Sequence, residues 1–106
     1  MIRGTTPTFT LTIDDENLDL SQAENVYVTI KQANTTITKT GEYLEVDQNM
    51  VMCWLTEEES FRLKENIEAA IQINWTYLES SGTRKRAATQ THKIMVGRQL
   101  LNEEIT

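Results

Sequence analysis

A single cysteine, Cys53, and a single proline, Pro7, stand in a chain of 106 residues. One thiol cannot close an intramolecular disulfide, so a domain of this size must hold by its core alone. Between Met52 and Trp54, Cys53 reads as a buried, inert side chain rather than a nucleophile. The glycines are isolated, which excludes a glycine-rich phosphate loop. No run approaches the ~20 apolar residues of a membrane-spanning helix. The opening residues, Met1-Ile-Arg-Gly-Thr-Thr-Pro7, hold no apolar h-region, so no signal peptide is expected and the Asn34 and Asn74 sequons carry no meaning. Folding in a reducing cytoplasm is the expectation. Positive charge is scarce too: 10 Lys and Arg against 16 Asp and Glu give a formal net charge of −6. That balance disfavours nucleic acid and anionic membranes, both of which select a basic surface.

What is present centres on the stretch from Met52 to Tyr77, which reads as strand, short helix, long strand. Thr56 and Glu59 have capping-box spacing. A helical turn therefore starts at Thr56 and exposes Glu57, Glu58 and Glu59, where the helix dipole favours negative charge. Phe61 and Leu63 close that turn over the end of a core. Beyond it, Ala69, Ile71, Ile73, Trp75 and Tyr77 alternate with a mostly polar set, the period of a half-buried strand.

Before this stretch, Thr8 to Asp14 alternates Phe9, Leu11 and Ile13 with threonines behind Pro7, an allowed strand start. Leu18 to Asn25 is too short for a normal helix; Ser21 and Glu24 repeat the capping-box spacing, which predicts one turn anchored by Leu18 and Leu20. Asn25 to Ala33 is a strand with Val26, Val28 and Ile30 on one side. Asn34 is the expected turn residue before Thr35 to Thr40, with Ile37 inward. Gly41 breaks that strand; Glu42 to Val46 and Met50 to Leu55 follow across the turn at Asp47-Gln-Asn49. After Leu78, Glu79-Ser-Ser-Gly-Thr83 is a hairpin loop, Arg84 to Val96 is the return strand, and Arg98 to Ile105 is a short last element. About seven short strands, turn signals between them and one or two helical turns predict an all-β sandwich, one domain over residues 1–106.

Chemistry finds little footing. Asp15, Asn17 and Asp19 sit at positions 1, 3 and 5 of an EF-hand-like register, but Leu20 stands where the glycine belongs and Val26 where the glutamate belongs. A solvated loop is the simpler reading. His92 is the sole histidine, which does not build a zinc site of the usual kind, and no G-x-S-x-G elbow is present. Glu57, Glu58 and Glu59 are better explained by capping than by acid–base work. No catalytic, cofactor-binding or metal residue is assigned, and no cofactor is expected. Arg84-Lys85-Arg86 is the one basic cluster. With Glu57, Glu58 and Glu59 it forms the candidate docking set, opposite in sign and suited to a contact with another copy of this acidic chain. The edge of the first or last strand is a further candidate. The rival reading is a carbohydrate-binding module built on exposed aromatics such as Trp54, Tyr43 or Tyr27.

The order of short motifs resembles the small immunoglobulin-like domains of phage and prophage structural proteins, especially the N-terminal domain of the phage baseplate upper protein. The matching residues are Asp19-Leu20-Ser21 with Val26 to Gln32, then Leu55-Thr56-Glu57-Glu58-Glu59, Ile71 to Tyr77, Gly82 and Lys93 to Val96. The resemblance implies an immunoglobulin-like β-sandwich and a non-enzymatic structural subunit of tail or baseplate type. Its partners would be protein: further copies of itself or other tail and baseplate subunits. It implies synthesis in a bacterial cytoplasm and a place in a virion or phage-tail assembly. Baseplate proteins continue into further domains whereas this sequence stops at Thr106, so a stand-alone relative is the form implied.

Overall fold

The computed structural model describes residues 1–2 and 4–97. The element expected over Arg98 to Ile105 lies outside the described residues. Eight strands are found among them: β1 (Thr8–Thr12), β2 (Asn25–Gln32), β3 (Thr35–Thr40), β4 (Leu44–Asp47), β5 (Met50–Trp54), β6 (Glu68–Leu78), β7 (Arg84–Ala88) and β8 (His92–Met95). The helical content is one short α-helix, α1 (Glu57–Phe61), and 3₁₀ turns at Leu20–Gln22 and Gly41–Tyr43.

Two antiparallel sheets face each other. One has the order β1-β5-β4; the other runs β3-β2-β6-β7, with β8 also on β6. In immunoglobulin terms the first sheet holds strands B, E and D, and the second holds C′, C, F and G. Ile2 adds a parallel bridge to Gly97 beyond β8. The expected all-β, immunoglobulin-like sandwich is the architecture found. Its stability rests on apolar packing, because neither sheet can carry the intersheet disulfide of antibody domains. Val28, Ile30, Ile37, Val51, Cys53, Ile71 and Ile73 from both sheets meet in the core, and Leu20, Leu55, Leu63 and Val96 close its ends.

The return strand after the hairpin departs from expectation by being two strands. Asn74 lies opposite Ala88 and Ile71 opposite His92, so four residue steps of the return strand face three of β6. The extra residue is a bulge at Thr89–Thr91. The Thr89 N–H donates to the Ile73 carbonyl at 2.9 Å, and the Thr89 hydroxyl accepts from the Ile73 N–H at 3.1 Å. A hydroxyl thus stands in where the ladder would use a carbonyl. The bulge also reverses which parity faces inward. Ala88 shares the outer face with Asn74, whereas Ile94 lies opposite buried Ala69 and packs on the core.

Local chemistry sets the turns. The turn at Leu20–Gln22 is capped by Asp19, whose carboxylate accepts from the Ser21 N–H at 3.1 Å. Ser21 was the expected cap; Asp19 wins because its longer side chain reaches two residues ahead, and Glu24 is drawn instead to Arg84. The β2–β3 loop puts Ala33, not Asn34, at positive φ (49°), and Gln48 does the same (54°) in the β4–β5 loop. In both, the first loop residue takes the left-handed conformation that matches strand twist.

Candidate functional site

Thr56 and Glu59 form the expected capping box on α1: the Glu59 N–H donates to the Thr56 hydroxyl at 3.1 Å and the Thr56 N–H to the Glu59 carboxylate at 2.9 Å. That same carboxylate is also the partner of Lys39. Lys39 follows Ile37 at the strand period, so β3 turns its side chain inward with the core set. Its side chain is 6% exposed and that of Glu59 20%, and the Nζ lies 5.3 Å from the centre of the Tyr43 ring. Glu59 is therefore not the free surface carboxylate expected from sequence. Burial raises its pKa most strongly, but the Lys39 hydrogen bond, the Thr56 bonds and the Lys39 charge together outweigh that and hold it below the usual glutamate value. Glu58 is exposed and Glu57 half-buried.

On β7, at the opposite edge of the larger sheet, the basic cluster is only partly available. Arg84 is forked onto the Glu24 carboxylate at 2.9 and 3.0 Å. The Arg86 guanidinium donates to the Asn74 side chain at 3.3 Å. Lys85 is exposed, opposite Tyr77. Gly82, at φ 82°, shapes the tip of this hairpin, which the Glu79–Thr83 and Glu79–Gly82 hydrogen bonds close. Of the expected docking set, Glu58 and Lys85 present free surface charge most directly, while Glu59, Arg84 and Arg86 hold neighbouring elements.

The remaining candidates fall to separate places. The Asp15 carboxylate accepts from the Asn17 N–H and that of Asp19 from Ser21, so both close their own turns. His92 sits exposed at the rim of a groove of about 600 Å³ between the two sheets, floored by Ile73 and Trp75 and walled on one side by Leu11 and Ile13. Tyr27 lies in the strand β2 opposite Thr40 and Asn74, Trp54 in β5 opposite Thr8, and Tyr43 in the 3₁₀ turn, 52% exposed. The three rings stand on three different elements. Cys53 is fully buried, and burial pushes its thiol up to about 11, with Lys39 pulling it down and Glu59 pushing it up. Since the thiolate is the reactive form, native protein at pH 8 is expected to resist a maleimide reagent and to react stoichiometrically once unfolded in urea. Rapid labelling without denaturant would contradict this burial.

Lys39 and the edge of β3 were missed by sequence reasoning. The signal was there: Lys39 has the parity of Ile37, and Glu59 already carried a carboxylate pinned at a helix start. No protein-family model, curated protein or solved structure matches this chain.

Proposed function

We propose that this chain is a non-enzymatic structural and interaction module, of the tail or baseplate type found in phages and prophages, and that it works through protein–protein contacts. The observation that carries this reading is the placement of charge. Exposed Glu58 stands on α1 beside the β3 edge of the larger sheet, and exposed Lys85 on β7 at its opposite edge. Glu58 shares a groove with Thr38 and Lys39 on one edge strand, and Lys85 lies opposite Tyr77 on the other, with β2 and β6 between them. Opposite charges at opposite edges of one sheet suit a head-to-tail contact, which closes into a ring or runs on as a filament.

The resemblance to baseplate domains supports the same reading. Its matching residues sit at turns and strands that define this topology: Asp19 caps a turn, Thr56 and Glu59 cap α1, Ile71 to Tyr77 lie in β6, and Gly82 bends the hairpin. The test is light scattering at low and high salt on the wild type and a charge reversal. Lys85→Glu is the informative variant, because reversing Arg84 would also break its bond to Glu24. Expected are an association that loosens as salt rises and a further weakening of about tenfold in the variant. Assembly indifferent to both salt and Lys85→Glu would overturn the head-to-tail contact.

A further inference from the structure

Beside Glu58, the free edge of β3 offers backbone rather than charge. Native sheets guard exposed edges with short strands, charged side chains, proline or bulges. The other edges of this sandwich show such guards. β1 starts behind Pro7 and ends at the acidic run Asp14-Asp15-Glu16. β4 has four residues and carries Glu45 and Asp47. β7 carries Arg84, Lys85 and Arg86 and ends in the bulge, and the Met1 ammonium donates to the carbonyl of Met95 on β8 at 3.0 Å. β3 has six residues, Thr-Thr-Ile-Thr-Lys-Thr, and its one charge, Lys39, is turned inward to Glu59.

The ladder pattern fixes which groups this edge offers. Ile73 directs its N–H and carbonyl to Thr89, so alternate residues of β6 serve β2 and the return strand in turn. Followed through the β2–β6 and β2–β3 registers, Thr35, Ile37 and Lys39 spend their backbone groups on β2. Thr36, Thr38 and Thr40 then point theirs at the open edge, and all three side chains are exposed.

We infer that this edge pairs with the β3 edge of a second copy, antiparallel and about a two-fold axis at Thr38. The set is self-complementary. Thr38 meets Thr38 of the second copy and Thr36 meets Thr40, each pair exchanging backbone hydrogen bonds and placing threonine beside threonine, a favourable cross-strand pair. No exposed charge opposes its like, because Lys39 is held inside. The flank adds charge complementarity: Thr38, Tyr43, Glu58 and Arg62 line one shallow groove of about 370 Å³ along this edge. A two-fold axis there sets Glu58 of each copy toward Arg62 of the other. The contact joins the C′CFG sheets of two copies into one; it shares Glu58 with the head-to-tail contact but makes no use of Lys85.

Sedimentation equilibrium of the full chain, with amide hydrogen exchange, tests it. Expected is a dimer whose formation protects the Thr36, Thr38 and Thr40 amides and responds little to Lys85→Glu. Thr38→Lys puts two ammonium groups face to face on the axis while leaving the β2 ladder intact, and should weaken the dimer by about tenfold or more. Glu58→Arg should weaken it as well, and Glu58→Arg with Arg62→Glu should restore it. A wild-type chain that stays monomeric, with unprotected β3 amides at every concentration, overturns the proposal even if another protein pairs with this edge. A dimer unchanged by Thr38→Lys overturns it also.

Discussion

Glu59→Ala is expected to lower the stability of this fold by about 4 kcal/mol. Roughly 3 of these come from leaving the Lys39 ammonium buried without its carboxylate, the low end for a buried pair because Glu59 keeps some exposure. About 1 more is lost with the capping box at the start of α1. Domains of this size have about 5–15 kcal/mol in all, so the variant is left near the edge of folding. Glu59→Gln keeps an acceptor for the Thr56 N–H and separates the two contributions. The double variant Lys39→Met with Glu59→Gln should recover most of the loss, since an apolar side chain replaces the buried charge. Urea melts of the three variants check this, and a loss under 1 kcal/mol for Glu59→Ala would show the pair to be an ordinary surface contact.

The same pair sets an acid dependence. Glu59 has its folded pKa lowered from the ordinary value, so its contribution to stability is complete above the unfolded value and is lost as pH falls through the folded one. Glu24, lowered chiefly by its Arg84 hydrogen bond, adds in the same direction from an exposed site. Melting temperature should therefore hold steady above about pH 5 and fall below it, and the fall should be shallower in Lys39→Met with Glu59→Gln.

The second large effect belongs to Gln32. Its side chain is buried at the end of β2 and acts as a clamp on the loop between α1 and β6. The amide nitrogen donates to the Lys64 and Ile67 carbonyls at 2.8 and 2.9 Å, and the amide oxygen accepts from the Lys64 N–H at 2.6 Å. This loop includes Asn66 at φ 63° and delivers the chain to β6, so its backbone polar groups need partners that no strand supplies. Gln32→Leu preserves volume and removes every bond. The expected loss is about 3 kcal/mol, from backbone groups left without partners at 1–3 kcal/mol each, moderated by water at the loop. Gln32→Glu is the sharper probe. It sets a carboxylate against two carbonyls and so should be more stable at pH 4 than at pH 7, opposite to the wild type. Equal stability of Gln32→Leu and wild type would mean that the loop holds without its clamp.

How much of this was legible follows from where each signal resides. The alternation in β2 and β6 and the capping box at Thr56 and Glu59 are local, and the strands and helix formed where those patterns placed them. Inward parity was legible as well, yet charge and polarity concealed its consequence: Gln32 follows Ile30 and Lys39 follows Ile37, and both are buried because a distant element supplies partners. The bulge at Thr89 carries no glycine to announce it; only the register against β6 exposes it. The docking set was legible as charge, not as availability. Arg84 and Glu24 lie 60 positions apart, and their ion pair exists only because the strand pairing brings Asn25 and the β7 end of β6 together. The openness of the β3 edge is likewise a property of topology, since any of the strands could have been central.

The central claim is that this sandwich acts by associating with protein, its own copies included. Sedimentation equilibrium of the wild-type chain, over a hundredfold range of concentration and at low and high salt, tests it most directly. The account predicts an average mass that rises above the 12.2 kDa of one chain as concentration increases, with a salt-sensitive part lost in Lys85→Glu and a part lost in Thr38→Lys. A single species of monomer mass at every concentration and both salts would contradict it.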